Sequence, residues 1–292
     1  MVPTVLGGKS EISRSALIWR GVVDRMFLRP LRTITVAAVV LLAMLAALTA
    51  AGPVRVGPGD LHLAGSRPTN AAKVFKWGLS KWEDEFILRL SRQWKTNHAK
   101  LVRNQVGMLT LDSTRRSGTV WATVPGQGHR YGRWEARVRS EENGRGGKHY
   151  RVVWELIPSG DYACGSKNLE ISSYRFGDRR ARMRLRTPSG ASFSASRQRN
   201  LHDNVWHTYA VEVTKKHVSW FVDTQVVRTE RRDAALTGTS YQMRFRLEGV
   251  KGKRMNPARM QMDWVRYYTL ERPNAKSIKA PRLDRGSSRS RC

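Results

Sequence analysis

From about Trp77 to Leu270 the chain alternates apolar and polar residues with a period of two, in short runs. Met108-Leu109-Thr110-Leu111-Asp112, Trp134-Glu135-Ala136-Arg137-Val138-Arg139 and Tyr209-Ala210-Val211-Glu212-Val213 are examples, as are Val218-Ser219-Trp220-Phe221-Val222 and Met243-Arg244-Phe245-Arg246-Leu247. Side chains two apart share one face of a strand, so each run offers an apolar face to a core and a polar face to solvent. Gly, Pro, Asn and Asp bound the runs. Their number predicts an all-β fold, antiparallel strands packed as a two-sheet sandwich. Residues 80–95 are less regular and read as partly helical. No internal repeat is visible.

A different pattern precedes these runs. Thr33 to Gly52 is a 20-residue stretch without a charge, which as a helix spans roughly 30 Å, the hydrocarbon thickness of a bilayer. Lys9, Arg14, Arg20, Arg25, Arg29 and Arg32 lie before it, so the positive-inside bias predicts a single-pass anchor with the N-terminus cytoplasmic and the rest outside. Thr49-Ala50-Ala51 also offers a signal-peptidase site, which leaves a secreted form open. The expected organisation is a basic cytoplasmic segment (1–32), an anchor or signal (33–52), a Pro/Gly-rich linker (53–75), the folded domain (76–271) and a basic, disordered tail (272–292).

Charge sharpens this picture. The chain of 292 residues has 53 Lys and Arg against 23 Asp and Glu, a formal +30. Residues 1–32 contribute +4 and residues 273–292 +5, which leaves +21 between them. A domain this basic calls for an anionic partner, and export to the outside makes that partner an acidic polymer; no nucleic acid is expected. Cys164 and Cys292 share a compartment that permits a disulfide, with a free thiol or an intermolecular bond equally open. No Cys-x-x-Cys or His-Glu-x-x-His spacing is present, so neither metal nor cofactor is expected.

Five strings carry a family resemblance: Trp82-Glu83-Asp84-Glu85-Phe86, Tyr131-Gly132-Arg133-Trp134-Glu135-Ala136-Arg137, Trp206-His207-Thr208-Tyr209-Ala210-Val211-Glu212, Trp220-Phe221-Val222-Asp223, and Met262-Asp263-Trp264-Val265-Arg266-Tyr267-Tyr268. In this order, over roughly residues 77–270, they resemble the family-16 glycoside hydrolases, the laminarinase and lichenase-like enzymes. The resemblance implies a concanavalin-like β-jelly roll with a polysaccharide cleft across its concave sheet. It also implies a catalytic strand of form Glu-x-Asp-x-x-Glu, or a form one residue shorter. The retaining mechanism needs a carboxylate nucleophile and a carboxylic acid about 5–5.5 Å apart across the scissile bond.

The segment matching that strand is Asn168-Leu169-Glu170-Ile171-Ser172-Ser173-Tyr174, which holds one acid. Two alignments are open. One, read as the shorter frame without a bulge residue, puts Asn168 at the nucleophile, Glu170 in the middle and Ser173 at the acid/base. The other puts Glu170 at the nucleophile and Ser172 in the middle, with Tyr174 or Arg175 where the acid belongs. Either way at most one carboxylate remains, and neither an amide nor a hydroxyl replaces a titrating acid.

The following run, Arg179 to Arg186, places Arg180, Arg182, Arg184 and Arg186 on one face and Ala181, Met183 and Leu185 on the other. Arg244 and Arg246 alternate likewise, followed by Glu248. Guanidinium forks suit carboxylate, sulfate or phosphate. Together with Trp154, which resembles the family's cleft tryptophan, these arginines are the expected substrate-binding set; His207 is read as structural. Three functions follow. The first is a membrane-anchored, catalytically impaired protein that binds an acidic polysaccharide, in assembly of a cell-surface polymer. The second is an active hydrolase or transglycosylase, Glu170 working with Glu155 or Glu248. The third is a uronic-acid lyase with Tyr174 as base.

Overall fold

The computed structural model describes residues 70–159, 168–187, 190–201 and 204–272. The apolar run 33–52, the linker up to residue 69, Cys164, Cys292 and the tail from residue 273 lie outside the described residues. Among the described residues no helix is long and apolar enough to cross a membrane.

The alternating runs form strands β1 (Trp82–Asp84), β2 (Lys95–Thr96), β3 (Val102–Asn104), β4 (Leu109–Asp112), β5 (Val120–Thr123), β6 (Gly132–Glu142), β7 (Arg151–Pro158) and β8 (Leu169–Arg175). They continue as β9 (Arg180–Arg186), β10 (Ser192–Gln198), β11 (His207–Val213), β12 (Val218–Val222), β13 (Gln225–Glu230), β14 (Tyr241–Glu248) and β15 (Ala258–Tyr268). One sheet runs β13-β12-β11-β6-β15-β4-β3, with β1 also paired to β15. The second runs β10-β9-β8-β7-β14-β5-β2. All strand pairs are antiparallel. The core lies between the sheets: Leu109, Leu111, Met260 and Met262 from the first meet Met183, Leu185, Phe245 and Leu247 from the second, all buried. This is the two-sheet antiparallel sandwich that the period-two alternation predicts.

Residues 80–95 are not helical. Asp84 ties the segment into a loop: Oδ1 accepts the Phe86 N–H at 2.9 Å and Oδ2 accepts the Trp94 Nε1–H at 2.8 Å. Phe86 and Trp94 are thereby held against the core, their rings 5.6 Å apart.

The short helix lies earlier, α1 (Ala71–Val74), so the folded unit reaches back to Asn70, within the stretch read as linker. Asn70 Oδ1 caps it by accepting from the Lys73 N–H. Phe75 and Trp77 then pack edge-on against Phe221 at 5.2 and 5.4 Å, on the outer face of the first sheet. That cover is why Val218–Val222 is buried on both faces. Beneath it, Glu135 accepts the Ala71 N–H at 2.5 Å and the Ala72 N–H at 3.4 Å.

Burial pushes the Glu135 carboxyl up to about 8, against the opposing pull of those two N–H groups. The proton therefore stabilises the folded state: the contribution is full below the ordinary value of 4.5 and is lost as pH rises through about 8. Glu135→Gln keeps the acceptor oxygen without the ionisation. It is expected to melt with the wild type at pH 5 and above it at pH 9, by circular dichroism. Coincident melting at both pH values contradicts this account.

Candidate functional site

Strand β8 does not pair regularly. Against β7 the register holds Trp154 opposite Ser172 but Glu155 opposite Glu170; against β9 it holds Glu170 opposite Arg184 and Ser173 opposite Arg182. One extra residue is accommodated between Glu170 and Ser173, a β-bulge. Leu169, Ile171 and Tyr174 point into the core, while Asn168, Glu170 and Ser173 meet partners on the outer face of the second sheet. The frame is therefore the bulged one, not the shorter frame expected from the sequence, although the three residues are those of the first alignment. Of the two residues that the second alignment puts at the acid, Tyr174 is removed, since its hydroxyl lies 2.8 Å from Ser140 Oγ in the interior and is pushed up to about 12 by burial, while Arg175 is exposed and carries no carboxyl. The same burial removes Tyr174 as a lyase base.

Register assembles the outer face into rows. Ser194, Arg184, Glu170, Glu155, Arg244 and Thr123 are successive cross-strand partners over β10-β9-β8-β7-β14-β5. The next row is Ser196, Arg182, Ser173, Val153, Arg246 and Trp121. With neighbouring strands about 4.8 Å apart, each row crosses roughly 24 Å of sheet.

Within these rows the acids and arginines are interlocked. Glu155 has no exposed surface. Its Oε1 accepts from Arg244 Nε at 2.9 Å and Arg246 Nε at 2.7 Å, and its Oε2 accepts from Asn168 Nδ2 at 2.6 Å. Glu170, equally buried, accepts at Oε2 from Arg151 Nη2 at 2.6 Å and Ser173 Oγ at 2.9 Å, with Arg186 Nη2 3.5 Å from Oε1. Glu248 closes the lattice, held by Arg151 at 2.9 Å and Arg246 at 2.5 Å. Arg151 and Arg246 each bridge two acids. Burial pushes the Glu155 carboxyl up, but the guanidiniums of Arg246 and Arg244 overcome it and hold it below the usual carboxylate range. Glu248 is lowered in the same way, burial opposed first by Arg246.

Arg180, Arg182, Arg184 and Arg186 do line one face of β9, opposite the buried Ala181, Met183 and Leu185. Arg244 and Arg246 share that outer face but serve Glu155. Trp154 does not belong to the face at all. It is buried in the core, stacked on Phe245 with ring centres 5.6 Å apart, because Val153 and not Trp154 takes the outward position on β7. The aromatic on the outer face is Trp121, partly exposed and paired with Arg246, a residue not singled out from sequence although buried Val120 and Ala122 flank it. Arg151, the hub of the lattice, was also not foreseen; its partners come from two other strands, β8 and β14, and no local spacing reveals them. His207 is bound to Asp223 at 3.0 Å and lies on the first sheet, in keeping with a structural role.

No protein-family model and no curated protein matches the sequence. Solved structures do match. The laminarinase from Rhodothermus marinus is 18% identical with a TM-score of 0.54, over 65% of this chain and 96% of that one. The catalytic domain of an endo-1,3-beta-glucanase (laminarinase) from Thermotoga petrophila is 16% identical with a TM-score of 0.54, over 66% and 98%. SCLam, a non-specific endo-beta-1,3(4)-glucanase from family GH16, gives 14% and 0.54 over 65% and 91%. The fold is the laminarinase jelly roll. At such identities the likeness extends to the fold alone, and the resemblance carried by the five sequence strings holds at that level.

Removing one partner of a buried ion pair costs on the order of 3–5 kcal/mol, because the other charge is left without compensation. Arg246→Met is expected to lower the unfolding free energy in urea by at most about that much, because Arg244 still faces Glu155 and Arg151 still faces Glu248. Adding Glu155→Gln to it should recover part of the loss, since the buried carboxylate that lost one of its two guanidiniums is gone. Strictly additive losses in the double variant contradict a coupled lattice.

Proposed function

We propose that this chain binds a polysaccharide on the outer face of the second sheet without hydrolysing it, as a membrane-anchored protein outside the cytoplasm. The carrying observation is the pair Asn168 and Ser173 at the positions matching the nucleophile and the acid of the family strand. Both donate hydrogen bonds, at 2.6 and 2.9 Å, to the carboxylates that remain. Loss of general acid–base assistance alone forfeits roughly 10²- to 10⁴-fold in rate, and no carboxylate replaces the nucleophile at Asn168.

The laminarinase-type fold supports a glycan as ligand, and the partly exposed Trp121 offers an aromatic on the same face against which a sugar can pack. The net charge of +30 and the arginines of β9 favour an anionic polymer. Anchoring rests on the uncharged run 33–52, and a cell-surface role in polymer assembly follows from anchor and ligand together. An active hydrolase remains the second reading, because Glu155, Glu170 and Glu248 share one face; against it, all three are engaged by arginine.

Full-length protein in detergent micelles is expected to be retarded in native gels containing anionic polysaccharide. Neither wild type nor Glu170→Gln is expected to release reducing ends from β-glucans. Reducing ends from the wild type that vanish in Glu170→Gln would reinstate the hydrolase, and free migration past every anionic glycan would end the binding proposal.

A further inference from the structure

The arginines of this face are not equivalent. Arg151, Arg244 and Arg246 are each within 2.9 Å of at least one carboxylate oxygen, and Arg186 lies 3.5 Å from Glu170. Arg184 makes no ion pair among the described residues, and Arg182 reaches only Asp178 at 3.7 Å while more than half exposed. Positive charge that can still take an anion is therefore displaced from the centre of the face to the β9–β10 flank.

The flank is furnished for that purpose. Strand β10 sets Ser194 opposite Arg184 and Ser196 opposite Arg182, both serines exposed, and β10 (Ser192–Gln198) carries no acid. Arg182 and Arg184 are two residues apart on one face, about 6.7 Å along the strand, each beside a hydroxyl. Open space adjoins them on both sides. A cavity of about 450 Å³ is lined by Arg151, Arg182 and Arg184 together with the acids Asp178 and Glu248, and a second of about 590 Å³, with no acid in its lining, by Arg182, Arg184, Ser194 and Ser196. Arg184 also sits among like charges that Glu170 only partly offsets. Burial lowers its pKa; Glu170 opposes this, and Arg186, Arg151 and Arg182 add to the lowering. An incoming anion offsets the repulsion from Arg186, Arg151 and Arg182.

We propose that Arg182 and Arg184, with the hydroxyls of Ser194 and Ser196, form a subsite for the oxyanion substituents of the glycan, sulfate ester or carboxylate. This rests on the polysaccharide-binding reading above. Trp121 lies four strands away from β9, roughly 19 Å, so the subsite and the stacking platform engage different residues of one extended chain. The interlocked acids and arginines between them form a neutralised floor.

The test is affinity electrophoresis of the full chain in detergent through gels carrying a sulfated galactan, a polyuronate or a neutral β-1,3-glucan. Losing two charge-assisted contacts is expected to weaken retention of Arg182→Gln/Arg184→Gln by at least about tenfold on the polymer that supplies the anion. Lys215→Gln/Lys216→Gln removes the same charge from the exposed turn between β11 and β12, and should change retention less than about twofold. Ser194→Ala/Ser196→Ala, a milder change on an exposed edge, should weaken retention on the same polymer. The arm in which the arginine variant loses binding tells sulfate from carboxylate. Equal losses in the arginine and lysine variants would mean diffuse attraction and overturn the subsite. So would full retention of the arginine variant on an anionic polymer that holds the wild type. A wild type held by none of the anionic polymers removes the binding reading itself, a separate outcome.

Discussion

Two carboxylates without exposure, Glu155 and Glu170, set the terms for the whole outer face of the second sheet. A carboxylate taken out of water is costly unless charge and hydrogen bonds replace its solvent. Four strands supply the replacement, Arg244 and Arg246 from β14, Arg151 from β7, Asn168 and Ser173 at β8, and Arg186 from β9. Because Arg151 and Arg246 each serve two acids, no member can change alone. The β-bulge belongs to the same constraint: without its extra residue Ser173 would face the core and Glu170 would lose its hydroxyl donor.

The lattice also decides which chemistry the face can perform. A general acid near neutrality needs a carboxyl whose pKa is raised, by burial or by a neighbouring anion. Glu155 has the burial, yet Arg246 and Arg244 reverse its effect, and Arg246 and Arg151 do the same to Glu248. Carboxyls held low by neighbouring guanidiniums, as Glu155 and Glu248 are, are poorly suited to donating protons near neutrality. The interaction that interlocks the sheet thus disfavours proton transfer on this face, in keeping with the proposed binding role.

How much of this was legible from the chain depends on the sheet. All five family-like strings fall on β1, β6, β11, β12 and β15, which belong to the first sheet. The fold was therefore readable, while the site lies on the sheet that carries none of those strings. Alternation on β9 assigned Arg180 to Arg186 correctly to one face, because Ala181, Met183 and Leu185 leave no other choice. It failed at Trp154, where Val152, Val153 and Trp154 form an unbroken apolar run and the face is set only by pairing with β14. The bulge and the Arg151 hub are likewise properties of register between strands, invisible to spacing within one. The loop at 80–95 misled for another reason: Asp84 organises it through contacts up to ten residues away, which mimic no regular period.

Asn168 and Ser173 then bear a different interpretation from simple loss of acids. A glutamate at 168 would set a third carboxylate against Glu155, where an amide N–H now donates over 2.6 Å. A glutamate at 173 would do the same to Glu170, where a hydroxyl donates over 2.9 Å. Adjacent like charges would have to be neutralised or protonated, and Arg151, Arg244 and Arg246 are already committed. The donors at 168 and 173 and the acids at 155 and 170 are therefore one arrangement, compatible with each other and incompatible with the catalytic pair. Two glutamates at 168 and 173 would each meet an acid whose guanidiniums are already shared. What this internal pairing leaves without a close acid is the positive flank at Arg182 and Arg184, and it is on that flank that the proposed subsite for an oxyanion rests.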